Sequence, residues 1–154
     1  MSNPVQRYRH GNVTQLRGQI AAGNKVVIGD LVGVDGQYFS DFDTLNAGTG
    51  GYHDVHAGVL MDGGTTGNET VDTTDAVVGY GAIFEFPLDS TVDVARPVGW
   101  PVAAVGNQTV SLLSGLGDLS ESIANLAKPA VVGDTTVWVL VHSVVMEGGP
   151  VAIA

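Results

Sequence analysis

The chain has 154 residues, no cysteine and a net charge of −10, which excludes disulfides, thiolate metal sites and a cysteine nucleophile. A chain of this length forms one domain and buries ~68–70% of the surface its unfolded form exposes, so it needs no covalent staple. Its acidic balance argues against a nucleic-acid partner, because phosphates would be repelled.

Composition points to an all-β protein. Gly is 22 of 154 residues and charged residues are only 14%. Val and Thr suit pleated, half-buried surfaces, whereas Gly and Asp suit turns. The sequence predicts a small β-barrel or sandwich of short strands, with long Gly/Thr/Asp loops and an extended N-terminal arm. The expected boundaries are residues 1–23 for a basic arm, 24–149 for the β-barrel domain and 150–154 for a C-terminal tail.

Charge is segregated along the chain. Arg7, Arg9, Arg17 and Lys25 are four of the six bases, and residues 1–29 contain no acid. The head therefore carries +4 against −14 for the remainder. Such a segment reads either as an arm that docks on an acidic partner or as a solvated, frayed terminus. No apolar run reaches the roughly 18 residues needed to cross a bilayer. The stretch "MSNPVQRYRHGNVTQ" has no apolar core of a secretory signal. The expectation is a soluble intracellular product with no membrane partner.

In chain order, residues 1–18 show no periodicity and are expected to be extended. "NKVVIGDLVGVDGQ" (24–37) is a strand region punctuated by Gly29-Asp30 and by the turn signal Asp35-Gly36. "YFSDFDTLNAGTGGYHD" (38–54) is turn-rich and predicts a long loop. "VHAGVLMD" (55–62) predicts a strand, and "GGTTGNETVDTTD" (63–75) a polar loop. "AVVGYGAIFEFPLD" (76–89) reads as one strand, with Tyr80, Ala82, Phe84 and Phe86 on one face. Glu85 then falls on the other face, and Pro87 ends the strand. "VGWPVAAV" (98–105) and "QTVSLL" (108–113) around Gly106-Asn107 predict a hairpin. "DLSESIANLAK" (118–128) fits either a short helix capped by Asp118 or Ser120, or a strand. "DTTVWVLVHSVVM" (134–146) predicts the most apolar strand.

Catalytic patterns are sparse. His53 and His56 flank Asp54, but an i, i+3 pair on a strand points to opposite faces and zinc needs three or four ligands. Asp41 with Asp43, and Asp72 with Asp75, lie in Gly/Thr segments where acids usually make turns. No calcium loop, nucleophile elbow or phosphate-binding glycine motif is present. Glu85, opposite the Phe pair, reads as an outward strand residue. The expectation is a protein without catalysis, cofactor or bound metal. Trp100 and Trp138 read as packing residues, with Trp100 a candidate for an oligomer or surface contact.

"VGYGAIFEFPLD" resembles the G-V-F-E-[FL] strand of tailed-phage capsid cement, or head decoration, proteins. "VVIGDLVGVDGQYFSDFD" is similar to that family's early G-D-L-V strand and acidic loop. "YHDVHAGVLMDGGTTGNE" resembles the segment in which an H-D-V-F-L-G-V-A strand runs into a polar loop. "IANLAKPAVVGDTTVWVLVHSVVMEGG" resembles its last two strands and Gly-rich end. The likeness covers roughly residues 24–149 and rests on the order and spacing of these four segments. The chain departs from it with "VHAGVLM" in place of F-L-G-V-A and "IANLAK" in place of a Gly-Arg. The resemblance implies a strand at 122–128. It further implies a decoration domain that trimerises on the exterior of an expanded head, after assembly in the host cytoplasm. Its partners would be the major capsid protein and further copies of itself.

On that reading the capsid contacts are Arg7, Tyr8, Arg9 and Arg17, with Trp100, Tyr38 and Phe39 as further oligomer or surface contacts. Two other functions fit less of the sequence. Tyr38, Phe39, Phe42 and Tyr52 could line a carbohydrate- or host-surface-binding module, or else fold over the end of the barrel. His53, Asp54 and His56 could serve a metal-dependent hydrolase.

Overall fold

A computed structural model describes residues 13–21, 24–46, 51–64, 74–115 and 121–147. The fold is all-β, as composition predicts. Five strands close into a barrel: β1 (Thr14–Ile20), β2 (Leu31–Asp35), β3 (Tyr38–Asp41), β4 (His56–Gly63) and β5 (Thr74–Tyr80), in the order β1-β3-β2-β4-β5. Five more form a second sheet: β6 (Ile83–Pro87), β7 (Pro101–Ala104), β8 (Val110–Leu112), β9 (Ser122–Leu126) and β10 (Thr136–Val141), in the order β6-β10-β9-β7-β8.

The barrel and the second sheet share a wall. Val32, Ala57 and Leu60 face the barrel interior with Ile20, Val26, Phe39, Ala76 and Val78. Leu31 and Val59, from the same strands, face outward into a larger core with Phe84, Phe86, Val102, Ile123 and Val139. Strands buried on both faces read as continuous apolar runs, and "VHAGVLM" is such a run, with His56 through Leu60 all buried. β6 and β10 instead cover the core from one side and alternate. Val137, Val139 and Val141 are buried between half-buried neighbours. Their register sets Val139 against Phe84 and Trp138 against Glu85. Glu85 is thus on the outer face, where the Thr136 hydroxyl donates to its Oε2 at 3.0 Å.

Four expectations need correction. Residues 76–89 are two strands in two sheets. The chain turns at Gly81, whose φ of 77° is left-handed, and the Gly81 N–H and Ala82 carbonyl then pair with Val141. Residues 38–54 carry β3, a short helix α1 (Phe42–Asn46) and a 3₁₀ turn (Tyr52–Val55), where a loop was expected. Asp41 caps α1 by accepting from the Thr44 N–H at 2.9 Å. The last strand stops at Val141, and a helical turn α2 (Val144–Glu147) follows. Residues 14–20, expected in the arm, are a barrel strand paired with β5 from Thr14↔Tyr80 to Ile20↔Thr74. Of the segment with two readings, residues 122–126 are a strand; Asp118 and Ser120, its alternative helix caps, lie outside the described residues.

The left-handed corner gives the first prediction. Gly81→Val should cost roughly 1–3 kcal/mol, because a β-branched residue resists positive φ. Phe84→Ala, which opens the shared core, should cost ~3–5 kcal/mol. Urea denaturation measures both; a Gly81→Val protein as stable as the parent would refute the corner's role.

Candidate functional site

Buried polar groups concentrate where the β7–β8 hairpin meets the barrel. Its turn carries Asn107 and Gln108. The Asn107 carbonyl accepts from the Leu31 N–H at 2.6 Å. The Asn107 side chain accepts from the Asp43 N–H at 2.9 Å and donates to Asp41 Oδ2 at 3.4 Å. Gln108 donates to Asp30 Oδ1 at 2.9 Å, and Asp30 Oδ2 accepts from the Val27 N–H at 3.0 Å. Burial raises the Asp30 pKa; the Val27 and Gln108 hydrogen bonds oppose this, while the nearby charges of Asp41 and Asp43 add to it. These carboxylates are met by amides and backbone N–H groups, and their work is to hold the two sheets in register. The sequence marks Gly29-Asp30 and Gly106-Asn107 only as turns; nothing local says that one plugs into the other.

Beside this joint lies a chain of aromatic side chains. Phe42 and Tyr52 pack at a tilt of 58° with centroids 5.0 Å apart, and Tyr52 meets His56 edge-on at 5.2 Å. The Tyr52 hydroxyl lies 2.5 Å from His56 Nδ1. Tyr52 is wholly buried, and burial, reinforced by Asp30 and Asp41, raises its pKa well above 10.0. Tyr52 therefore keeps its proton and His56 is neutral, so the pair shares one hydrogen bond whose donor is set by the His56 tautomer. Burial drives the His56 pKa from 6.5 to about 3; the His142 backbone opposes the fall, and the charges of His142 and His53 add to it. His56 Nε2, His53 Nδ1 and Ser143 Oγ are buried without a hydrogen-bond partner. Among the described residues no group of three or more His, Asp or Glu side chains is arranged to hold a metal ion. His56 is pinned by Tyr52, and Asp54 is exposed.

The other candidates scatter. Arg7, Tyr8 and Arg9 lie outside the described residues. Arg17 is exposed on β1, beside Asp62 and Asp75 along a groove of about 620 Å³. Phe39 is a correction: at 7% exposure it fills the barrel interior and offers no surface contact. Phe42 and Tyr52 are buried too, so of the four aromatics proposed for a carbohydrate face only Tyr38 is half-buried. Trp100 is half-buried. Its Nε1 donates to the Leu113 carbonyl at 2.7 Å, and the Arg96 guanidinium sits 4.3 Å from the centroid of its ring.

His56 makes stability depend on pH. The unfolded ring takes a proton near 6.5 and the native ring only near 3. Stability is full above the unfolded value and falls as pH drops through that window, by at most ~1.4 kcal/mol per pH unit. Asp30 acts in the opposite sense, because its raised pKa gives a contribution present at low pH and lost as pH rises through the folded value. It offsets part of the acid-side loss. His56→Asn, which keeps an acceptor for Tyr52, should lower stability at neutral pH by about 1–3 kcal/mol and flatten the decline toward acid. Denaturant titrations at a series of pH values test this; an unchanged slope would remove His56 as its source. Searches of known proteins find no family model and no curated protein that matches this chain.

Proposed function

We propose that this chain is a structural virion protein that binds the exterior of a mature phage capsid at subunit junctions and reinforces the shell. The observation that carries the reading is where the four family-like segments fall. "VVIGDLVGVDGQYFSDFD" spans the β2–β3 hairpin, "YHDVHAGVLMDGGTTGNE" holds β4, "VGYGAIFEFPLD" runs from the end of β5 through the Gly81 corner into β6, and "IANLAKPAVVGDTTVWVLVHSVVMEGG" holds most of β9 together with β10 and α2. The resemblance therefore lies in the framework of both sheets. Charge segregation agrees with it: residues 1–13, before the first barrel strand, carry Arg7 and Arg9 and no acid, so a segment of +2 precedes a body of −12, which suits docking on an acidic exterior.

The mechanism needs no chemistry. A protein that binds the mature lattice and not its precursor stabilises the state it binds. Each copy requires only modest affinity if it bridges neighbouring subunits, and trimers on the capsid would gain avidity from several footholds.

Co-sedimentation with mature heads of the source phage tests the reading. Saturable binding at a fixed ratio to the major capsid protein is expected; a folded protein that stays in the supernatant at every concentration would sink it. The arm has its own test. Deleting residues 2–18 would remove Thr14 through Gly18 from β1, so it would disturb the barrel. Deleting residues 2–12 avoids this, and should leave stability intact while weakening head binding. Unchanged binding would remove Arg7, Tyr8 and Arg9 from the contact.

A further inference from the structure

Two turns at one end of the second sheet share an unusual design. In Pro97–Trp100 the Trp100 N–H donates to the Pro97 carbonyl at 3.2 Å, and Gly99 has φ 88°. In Val131–Asp134 the Asp134 N–H donates to the Val131 carbonyl at 3.0 Å, and Gly133 has φ 100°. A positive φ at the third residue of a hydrogen-bonded turn marks type II geometry. The second residue is Val in both: Val98, 60% exposed, and Val132, 62% exposed. Turn apices are normally Gly, Pro, Asn, Asp or Ser, so two projecting valines require a reason.

The two turns are tied into one ribbon by backbone hydrogen bonds. Arg96 and Ala130 exchange backbone hydrogen bonds at 3.0 and 2.9 Å, and Val92 pairs with Gly133 and Asp134. Val94, 51% exposed, and Val132 both lie between these ties. Asp134 Oδ2 also accepts from the Val131 N–H at 2.9 Å, fastening the second turn from its side chain. Val131 is itself 59% exposed. Four exposed valines thus lie along one backbone-paired ribbon, whose ties limit the freedom it can lose on binding.

Charge says what covers it. Arg96 and Lys128 are the only bases between residues 30 and 154, and both lie at this cluster. Arg96 sits in the ribbon between Val94 and Val98, held on Trp100. Lys128 stands two residues before Ala130, 5.4 Å from the Trp138 ring centroid. Asp93 is exposed there as well, and the Asp134 carboxylate is spent on its turn. Val94, Val98, Val131 and Val132 share this end of the second sheet with Arg96 and Lys128, an arrangement suited to a surface that is apolar at its centre and acidic at its rim.

We infer that the tips around Val98 and Val132, flanked by Arg96 and Lys128, are a docking surface for an acidic-rimmed apolar patch on the capsid exterior. This rests on the cement reading above. It assigns that contact a second foothold, separate from the basic head.

The test uses the full chain and mature heads of the source phage, with bound protein quantified by sedimentation. Val94→Asp and Val132→Asp should each weaken binding about tenfold or more, a scale of ~1.4 kcal/mol. Lys128→Glu should weaken it and reduce its salt dependence. Val27→Asp, an exposed valine elsewhere (44%), should bind within about twofold of the parent. Circular dichroism melts confirm that each variant is folded; should Val132→Asp not fold, Val132→Ser carries the same expectation. Sedimentation velocity of the free chain reports self-association. If the parent binds and the valine variants bind equally well, the inference is wrong while the cement reading stands. If those variants only dissociate oligomers and leave head binding intact, the occupant is a second copy and the inference is overturned. If the parent does not bind heads, the cement reading fails and the inference with it.

Discussion

Leu31 and Val32 point in opposite directions, and so do Val59 and Leu60. That two-sided burial of β2 and β4 is the constraint from which the rest follows. Because these strands have no solvent face, a barrel closed by β1 and β5 still has an apolar outer wall, and the second sheet must cover it. The covering sheet needs only one apolar face, so β6 and β10 alternate and leave Glu85, Thr136 and Trp138 outside. The Asn107–Gln108 turn then fixes the offset between the sheets with directional bonds that apolar packing alone does not supply.

Much of this was legible in the residues. Asp35-Gly36 marks the β2–β3 hairpin and Gly106-Asn107 the β7–β8 hairpin, because both turns obey local rules. Alternation sufficed to place Glu85 outward. It failed a few residues earlier, because Tyr80, Ala82, Phe84 and Phe86 keep a period of two straight through the Gly81 corner. Periodicity cannot see a change of sheet. β1 was hidden for the opposite reason: only Ile20 of its seven residues is buried, so it lacks an apolar stripe. Its place is set by seven residues of backbone pairing with β5. α1, at five residues, is too short to show a helical period, and its signal is the cap at Asp41.

The polar joint was illegible on principle. Asp30 and Gln108 are 78 residues apart, and each belongs to a segment that reads as an ordinary turn. Phe42 and Tyr52 had two readings, a binding face or a fold over the end of the barrel, and their burial agrees with the second; that His56 joins them was not legible, because its partner Tyr52 reaches it only through the 3₁₀ turn. What sequence does disclose is the sparseness of cations beyond residue 29. Only three dimensions show that the two remaining ones each lie over a tryptophan ring.

The single passage at Gly81 has a consequence for synthesis. Every barrel strand lies between residues 14 and 80, and every strand of the second sheet between residues 83 and 141. A nascent chain emerging from the ribosome can thus pair the whole barrel before any of its partner sheet exists. Until the later half arrives, the outer faces of β2 and β4 stand bare. The interval between translating the two halves is therefore the time of greatest exposure to unwanted association, and its length is set by the speed of elongation and not by either sheet's own folding.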